Sequence, residues 1–247
     1  MESADGTPIA YRAFGEGDPI LFVHGVATTG GDWVFAGPHL CDRFTVVTMD
    51  RRGRGDSGNG AQYAMEREAE DVLAVLEAVG AEMLVGHSYG GLCSILAAER
   101  TDALRRLMLY EPPIAVPEDR LAGAEELIAA GQLDEVLERF LRDVGTTPEQ
   151  VEAIRSSPAW PVLLGAVPPL PRELRAAAAW RNPRGPIPVP TLHLVGADTT
   201  NPTYLEGLDE LLAAFPDVRR ATLPGQRHVG HVFAAEEFAR LVADFCG

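Results

Sequence analysis

The sequence contains no lysine: all 21 of its basic residues are arginine. Schiff-base catalysis and a Ser-Lys dyad, which need that amine, are excluded. Cysteine is scarce too. Cys41, Cys93 and Cys246 are scattered, odd in number and without metal-ligand spacing, so neither a disulfide framework nor a zinc site is expected. Cations are outnumbered by 36 acidic residues, for a net charge of −15. Phosphate backbones are held by clustered cations, so nucleic acid is not an expected partner. No apolar run approaches the roughly 20 residues that span a bilayer. The opening MESADGTPIAYRAFG also lacks the basic start and apolar stretch of a secretion signal. A cytoplasmic protein without membrane contact is the expectation.

At 247 residues and 46% hydrophobic, the chain has the size and composition of one large globular domain. Seven short apolar runs, IAYRAF, PILFVHG, FTVVTMD, EMLVGHS, RRLMLYEP, VPTLHLVGAD and DVRRATLPG, read as strands. Helical spacing lies between them over 65–79, 92–100, 204–215 and 236–245. Alternating strands and helices imply an α/β fold, a mostly parallel sheet with helices on both faces and functional groups at the strands' C-terminal ends. From 113 to 186 no strand is legible. EDRLAGAEELIAA, LDEVLERFLRDV, PEQVEAIRSS and PRELRAAAAW instead suggest a helical cap inserted into a core made of 1–112 and 187–247. Its aromatic and aliphatic residues Trp160, Leu163, Leu164 and Trp180 are candidates to line a pocket, or to pack between cap helices.

Gly86-His87-Ser88-Tyr89-Gly90 falls between the strand EMLV and a helix. A serine at the tip of a sharp strand-to-helix turn takes a strained backbone that exposes its hydroxyl, and the flanking glycines let strand and helix pass closely. Ser88 is therefore the candidate nucleophile. A hydroxyl needs a general base, and six histidines are available.

Taken in order, HG after the second strand, DRRGRGDSG after the third, GHSYGG, a late acid and GQRH near the end resemble the α/β-hydrolase superfamily. The resemblance is to serine-nucleophile, capped, esterase- or perhydrolase-like members, and implies a triad in the order serine, acid, histidine. It points to His228 as the base, with His231 the competitor. His24 and His87 are expected to shape their loops, and His39 and His193 to be structural or solvated. For the acid it points to Asp198 in LVGADTT, although the usual spacing would fall one residue later, on Thr199. Glu111, after RRLMLYEP, is the alternative. The oxyanion hole would use the backbone N–H groups of Val26 and Tyr89, and Trp33 and Phe35 would border the pocket or pack in the core. DRRGRGDSG lacks a phosphate-loop lysine and reads as a turn with exposed or paired charges.

The expected chemistry is cofactor-free and metal-free acyl transfer on an ester, thioester or lactone of a small, largely uncharged molecule. The same triad would also serve C–C bond hydrolysis, perhydrolase or haloperoxidase, or lyase and cyclase reactions. A non-catalytic ligand-binding protein is the third reading. Serine rather than aspartate at position 88 argues against dehalogenase or epoxide hydrolase chemistry.

Overall fold

The computed structural model describes all 247 residues. The seven expected strands form: β1 (Tyr11–Phe14), β2 (Asp18–Val23), β3 (Phe44–Met49), β4 (Met83–His87), β5 (Arg106–Tyr110), β6 (Thr191–Gly196) and β7 (Val218–Leu223). They make one sheet in the order β1-β3-β2-β4-β5-β6-β7. Only β1 runs antiparallel to its neighbour.

Along each central strand successive side chains enter opposite layers, as the period of two requires. Leu21 and Val23 of β2 join one apolar cluster with Leu84, Leu107 and Leu109. Ile20 and Phe22 join the other, with Val85, Met108 and Tyr110. The first layer is covered by α1 (Met65–Val79) and α2 (Tyr89–Ala98), the second by the C-terminal α11 (Ala235–Cys246). A sheet buried on both faces explains its continuous apolar strands.

Between β5 and β6 there is no strand but five helices: α3 (Ala124–Ala129), α4 (Leu133–Asp143), α5 (Pro148–Arg155), α6 (Trp160–Gly165) and α7 (Leu170–Ala178). The sequence suggested four. The fifth, α6, carries Pro161 in its first turn, where a missing N–H breaks no helical bond. The α5 start is fixed by a capping box, Thr147 Oγ1 accepting from the Gln150 N–H while Gln150 returns the bond. The single helix expected over 204–215 is split into α8 (Pro202–Leu205) and α9 (Leu208–Leu212), because Gly207 adopts a left-handed φ of 78° between them. A short α10 (Gly230–Phe233) precedes α11. No helix is long and apolar enough to cross a membrane, and all three cysteines are free.

Candidate active site

Ser88 directly follows β4 and opens α2 with φ 54° and ψ −128°. A non-glycine residue holds this conformation only where its surroundings enforce it. The enforcement is visible on either side. A Cβ on Gly86 would stand 2.5 Å from Ser94 Oγ and 2.7 Å from Gly91 Cα, and one on Gly90 would stand 2.4 Å from the Val23 carbonyl oxygen. Strand, turn and helix therefore pass at backbone distance, and the Ser88 N–H donates to the Tyr110 carbonyl at 2.9 Å.

His228 follows β7, and its Nδ1 lies 2.8 Å from Glu111 Oε2. Both side chains are almost fully buried, 4% and 0% exposed. The other Glu111 oxygen, Oε1, accepts from the Gly196 N–H at 2.8 Å and the Thr199 hydroxyl at 2.5 Å. Burial works against the Glu111 charge, but the bonds from His228, Thr199 and Gly196 outweigh it and hold the carboxyl below its ordinary value. An ionised carboxylate only accepts, so His228 Nδ1 carries the proton and Nε2 the lone pair. Burial depresses the His228 pKa, with Glu111 opposing.

The carboxylate on His228 is thus Glu111, not Asp198. Asp198 lies exposed beyond the end of β6, and only its backbone N–H is bonded, to the Gln226 carbonyl. Glu111 succeeds because it leaves β5, which lies between the strand carrying Ser88 and the strand leading to Asp198. Its own φ is a strained 46°. Position 199 does reach the histidine's partner, as a hydroxyl that supports the carboxylate.

Three further contacts fix the His228 loop. His87 Nε2 bonds the His228 carbonyl at 2.9 Å. Tyr110 donates to the Arg227 carbonyl and accepts from the Gly230 N–H at 3.1 Å. Tyr204 of α8 stacks on the imidazole, ring centroids 4.2 Å apart and planes 13° from parallel. His24 accepts the Arg51 N–H on Nε2 and therefore donates through Nδ1 to the Gly25 carbonyl. His39 is exposed, and His193 is buried with its pKa pushed down to about 4. His231 instead bonds Asp32 at 2.9 Å. With His87 these make the one cluster of metal-ligand type, donor atoms within 4.8 Å of one another. Two members of it already bond each other.

Val26 and Tyr89 border the same cavity as Ser88. The Val26 N–H donates to no protein acceptor, and Tyr89, first in its helix, has no intrahelical acceptor for its own. The other walls are Pro113, Val116 and Arg120 after β5, Phe140 and Val144 near the end of α4, Leu174 and Ala177 of α7, and Tyr204. The space is small, about 10 Å³, roughly one water. The insertion covers Ser88, but not with the aromatic residues expected. Trp33 is 1% exposed and packs against Phe22, His231 and Phe238 in the layer facing α11. Phe35 is half exposed at the surface. Trp160 packs within the insertion, its Nε1 donating to Asp134 and Arg155 lying over its ring. Trp180 belongs to the same apolar cluster as the sheet layer under α1 and α2, and Leu163 and Leu164 pack at its edge. The three tryptophans went where their surface could be buried, whereas Phe35 did not.

The arginines of DRRGRGDSG are paired but not exposed. Arg51 and Arg54 are at most 1% exposed, and both bond Glu173 of α7, at 2.9 and 2.7 Å. Arg51 also bonds Glu68 of α1, donates to the Gly25 carbonyl at 2.7 Å, and lies over the Tyr89 ring. Burial disfavours the Glu68 charge, but the Arg51 cation outweighs it and lowers the pKa; at Glu173 burial prevails over the arginines and raises it. This buried network joins the insertion to the loop that carries Val26 and to Tyr89 at the start of α2. Its acids stand 17 to 122 residues from their arginines, so nothing local in the sequence announces them.

The family profile described as the alpha/beta hydrolase family matches residues 20–242. An alpha/beta hydrolase from Sphaerobacter thermophilus superposes with a TM-score of 0.85 at 32% identity, covering 100% of this chain and 99% of that one. The pimeloyl-[acyl-carrier protein] methyl ester esterase of Aeromonas hydrophila is 26% identical over 97% of this chain and 99% of its own. The N-formylmaleamate deformylase of Pseudomonas putida is 33% identical over 121 residues. That match spans 47% of this chain and 45% of the deformylase, less than half of each.

Proposed function

The chain belongs to the alpha/beta hydrolase family, and on that premise we propose that it cleaves an ester, thioester or lactone of a small molecule through an acyl-enzyme on Ser88. The observation that carries the reading is the buried 2.8 Å bond between ionised Glu111 and His228 Nδ1, which leaves Nε2 as the base.

In acylation Nε2 takes the hydroxyl proton as Ser88 Oγ bonds the carbonyl carbon. The Val26 and Tyr89 N–H groups receive the oxyanion. The tetrahedral adduct collapses by breaking the bond to the alcohol, thiol or ring oxygen, which departs with the proton from His228. Water then gives its proton to Nε2 and attacks the acyl carbon; the bond to Ser88 Oγ breaks, His228 returns that proton to Oγ, and the acid leaves. Glu111 stabilises the imidazolium of each half-reaction without itself being protonated. The Arg51 to Gly25 bond and the Arg51 stacking on Tyr89 hold the two oxyanion donors in register from behind. A space of about 10 Å³ is smaller than any ester, so this reading requires the cavity to widen on binding.

The deformylase resemblance favours one variation: the same acyl-enzyme with a nitrogen leaving group, cleaving a carbon–nitrogen bond. The test is mass spectrometry of the intact protein with a fluorophosphonate, alongside turnover of short p-nitrophenyl esters. Wild type should gain one adduct, on Ser88, and Ser88→Ala should gain none and lose turnover while keeping its unfolding midpoint. Full activity in Ser88→Ala refutes the mechanism. Tight binding of small esters without labelling or turnover would instead mark a binding protein on this scaffold.

A further inference from the structure

Arg120 stands in the Ser88 cavity with its side chain only 5% exposed to solvent. Two of its three nitrogens are engaged. Nε donates to Asp143 and Nη1 to Thr203 Oγ1 at 3.2 Å. The third, Nη2, is buried and makes no hydrogen bond of ordinary geometry, although the Tyr204 hydroxyl lies near enough to interact with Arg120. A charged donor withdrawn from water without an acceptor is costly, and such groups are rare unless a ligand supplies what is missing. A largely uncharged substrate, as expected from the sequence, would leave this cation without a counter-charge in the cavity.

Resting on the hydrolase reading above, we infer that Arg120 Nη2 anchors a carboxylate-binding subsite, so that the preferred substrate is a short ester-type compound bearing a second, ionised carboxylate.

The chemistry of the walls selects this anion. Guanidinium edges pair with planar carboxylates through short, charge-assisted bonds. A phosphate, with more charge and three acceptor oxygens, calls for several cations, and Arg120 is the one cation in the cavity wall. Phe140, Val144 and Leu174 give the other walls an apolar character that matches a methylene chain once the cavity widens. Asp143 does not satisfy Arg120 in advance, since it holds a different nitrogen and is itself 41% exposed and screened by water. The Arg120 charge also reaches the reaction centre, where it disfavours protonation of His228. It acts there as a positioning and recognition group, not as a proton carrier.

The test compares monomethyl succinate, glutarate and adipate with their dimethyl esters, in which the free carboxylate is masked. Wild type should favour one of the monoesters over its diester by at least about tenfold in kcat/KM. Arg120→Gln should reduce that ratio by about 100-fold, mainly through KM, and Arg120→Lys should restore part of it. Equal losses on both ester types would show a merely structural role and overturn the proposal, as would a wild-type preference for the diesters. Calorimetric titration of the free dicarboxylates into Ser88→Ala and into Ser88→Ala/Arg120→Gln keeps the two readings apart. Binding that depends on Arg120 without turnover of any ester sustains the subsite and rejects the ester chemistry. Binding that is equal in both proteins, or absent from both, rejects the subsite whatever the ester turnover.

Discussion

Replacing Glu111 by glutamine is the sharpest test of how the site works, because it keeps the shape and removes only charge and symmetry. The backbone N–H of Gly196 cannot rotate away from its 2.8 Å acceptor. The amide oxygen of the substituted side chain is therefore forced into the Oε1 position, which the Thr199 hydroxyl also favours. Its NH₂ then faces His228 Nδ1, and two donors would meet where 2.8 Å now separates donor from acceptor. Relief comes from the other tautomer, with the proton on Nε2, and that ring cannot accept a proton from Ser88. The imidazolium of the transition state also loses its counter-charge. Together these should lower kcat by about 10⁴-fold, some 5.4 kcal/mol at about 1.36 kcal/mol per tenfold. Stopped-flow or steady-state hydrolysis of p-nitrophenyl acetate reads the rate, and thermal unfolding verifies the fold. Asp198→Asn, at an exposed side chain with no partner, should stay within about twofold of wild type. If Asp198→Asn proves the crippled variant and Glu111→Gln retains more than about a tenth of the rate, the reasoning is refuted.

The pH profile provides a second check. Burial holds His228 below its ordinary 6.5, and in the proposed mechanism the unprotonated ring is the base. Hence kcat/KM should stay level through neutral pH and decline only on the acid side of 6.5; a limb centred above 7 contradicts this. His24 and His87 are depressed by burial as well. Between their folded values and 6.5 the unfolded chain binds more protons, so this part of the stability is complete above 6.5 and lost as pH falls through the folded values. Urea midpoints at pH 7.5 and 5.5 should show the decline. Glu173→Gln should leave Arg51 and Arg54 with Glu68 as their remaining buried carboxylate, costing about 3 kcal/mol or more in urea unfolding. A change under about 0.5 kcal/mol would mean that water reaches the network.

The sequence by itself determined whatever depends on neighbours along the chain. Alternation and apolar runs located all seven strands, and the glycines around Ser88 specified the turn, because steric demands over five residues are local. His228 was legible from its place after the last strand within a recognised order of motifs. What lay beyond was decided by strand order and by burial. Glu111 and Asp198 each follow a strand and are equivalent as text; β5 lies beside β4 and presents Glu111 to His228, while Asp198 is left in solvent. The arginines of DRRGRGDSG read as turn charges until their acids, arriving from α1 and α7, made burial tolerable. The tryptophans expected at the pocket were drawn into apolar layers, and Arg120, an ordinary charge in PEDRLAG, came to stand buried in the wall of the Ser88 cavity. Local sterics wrote the nucleophile's turn into the sequence, but the acid, the pocket walls and the buried ion pairs exist only once distant segments share one interior.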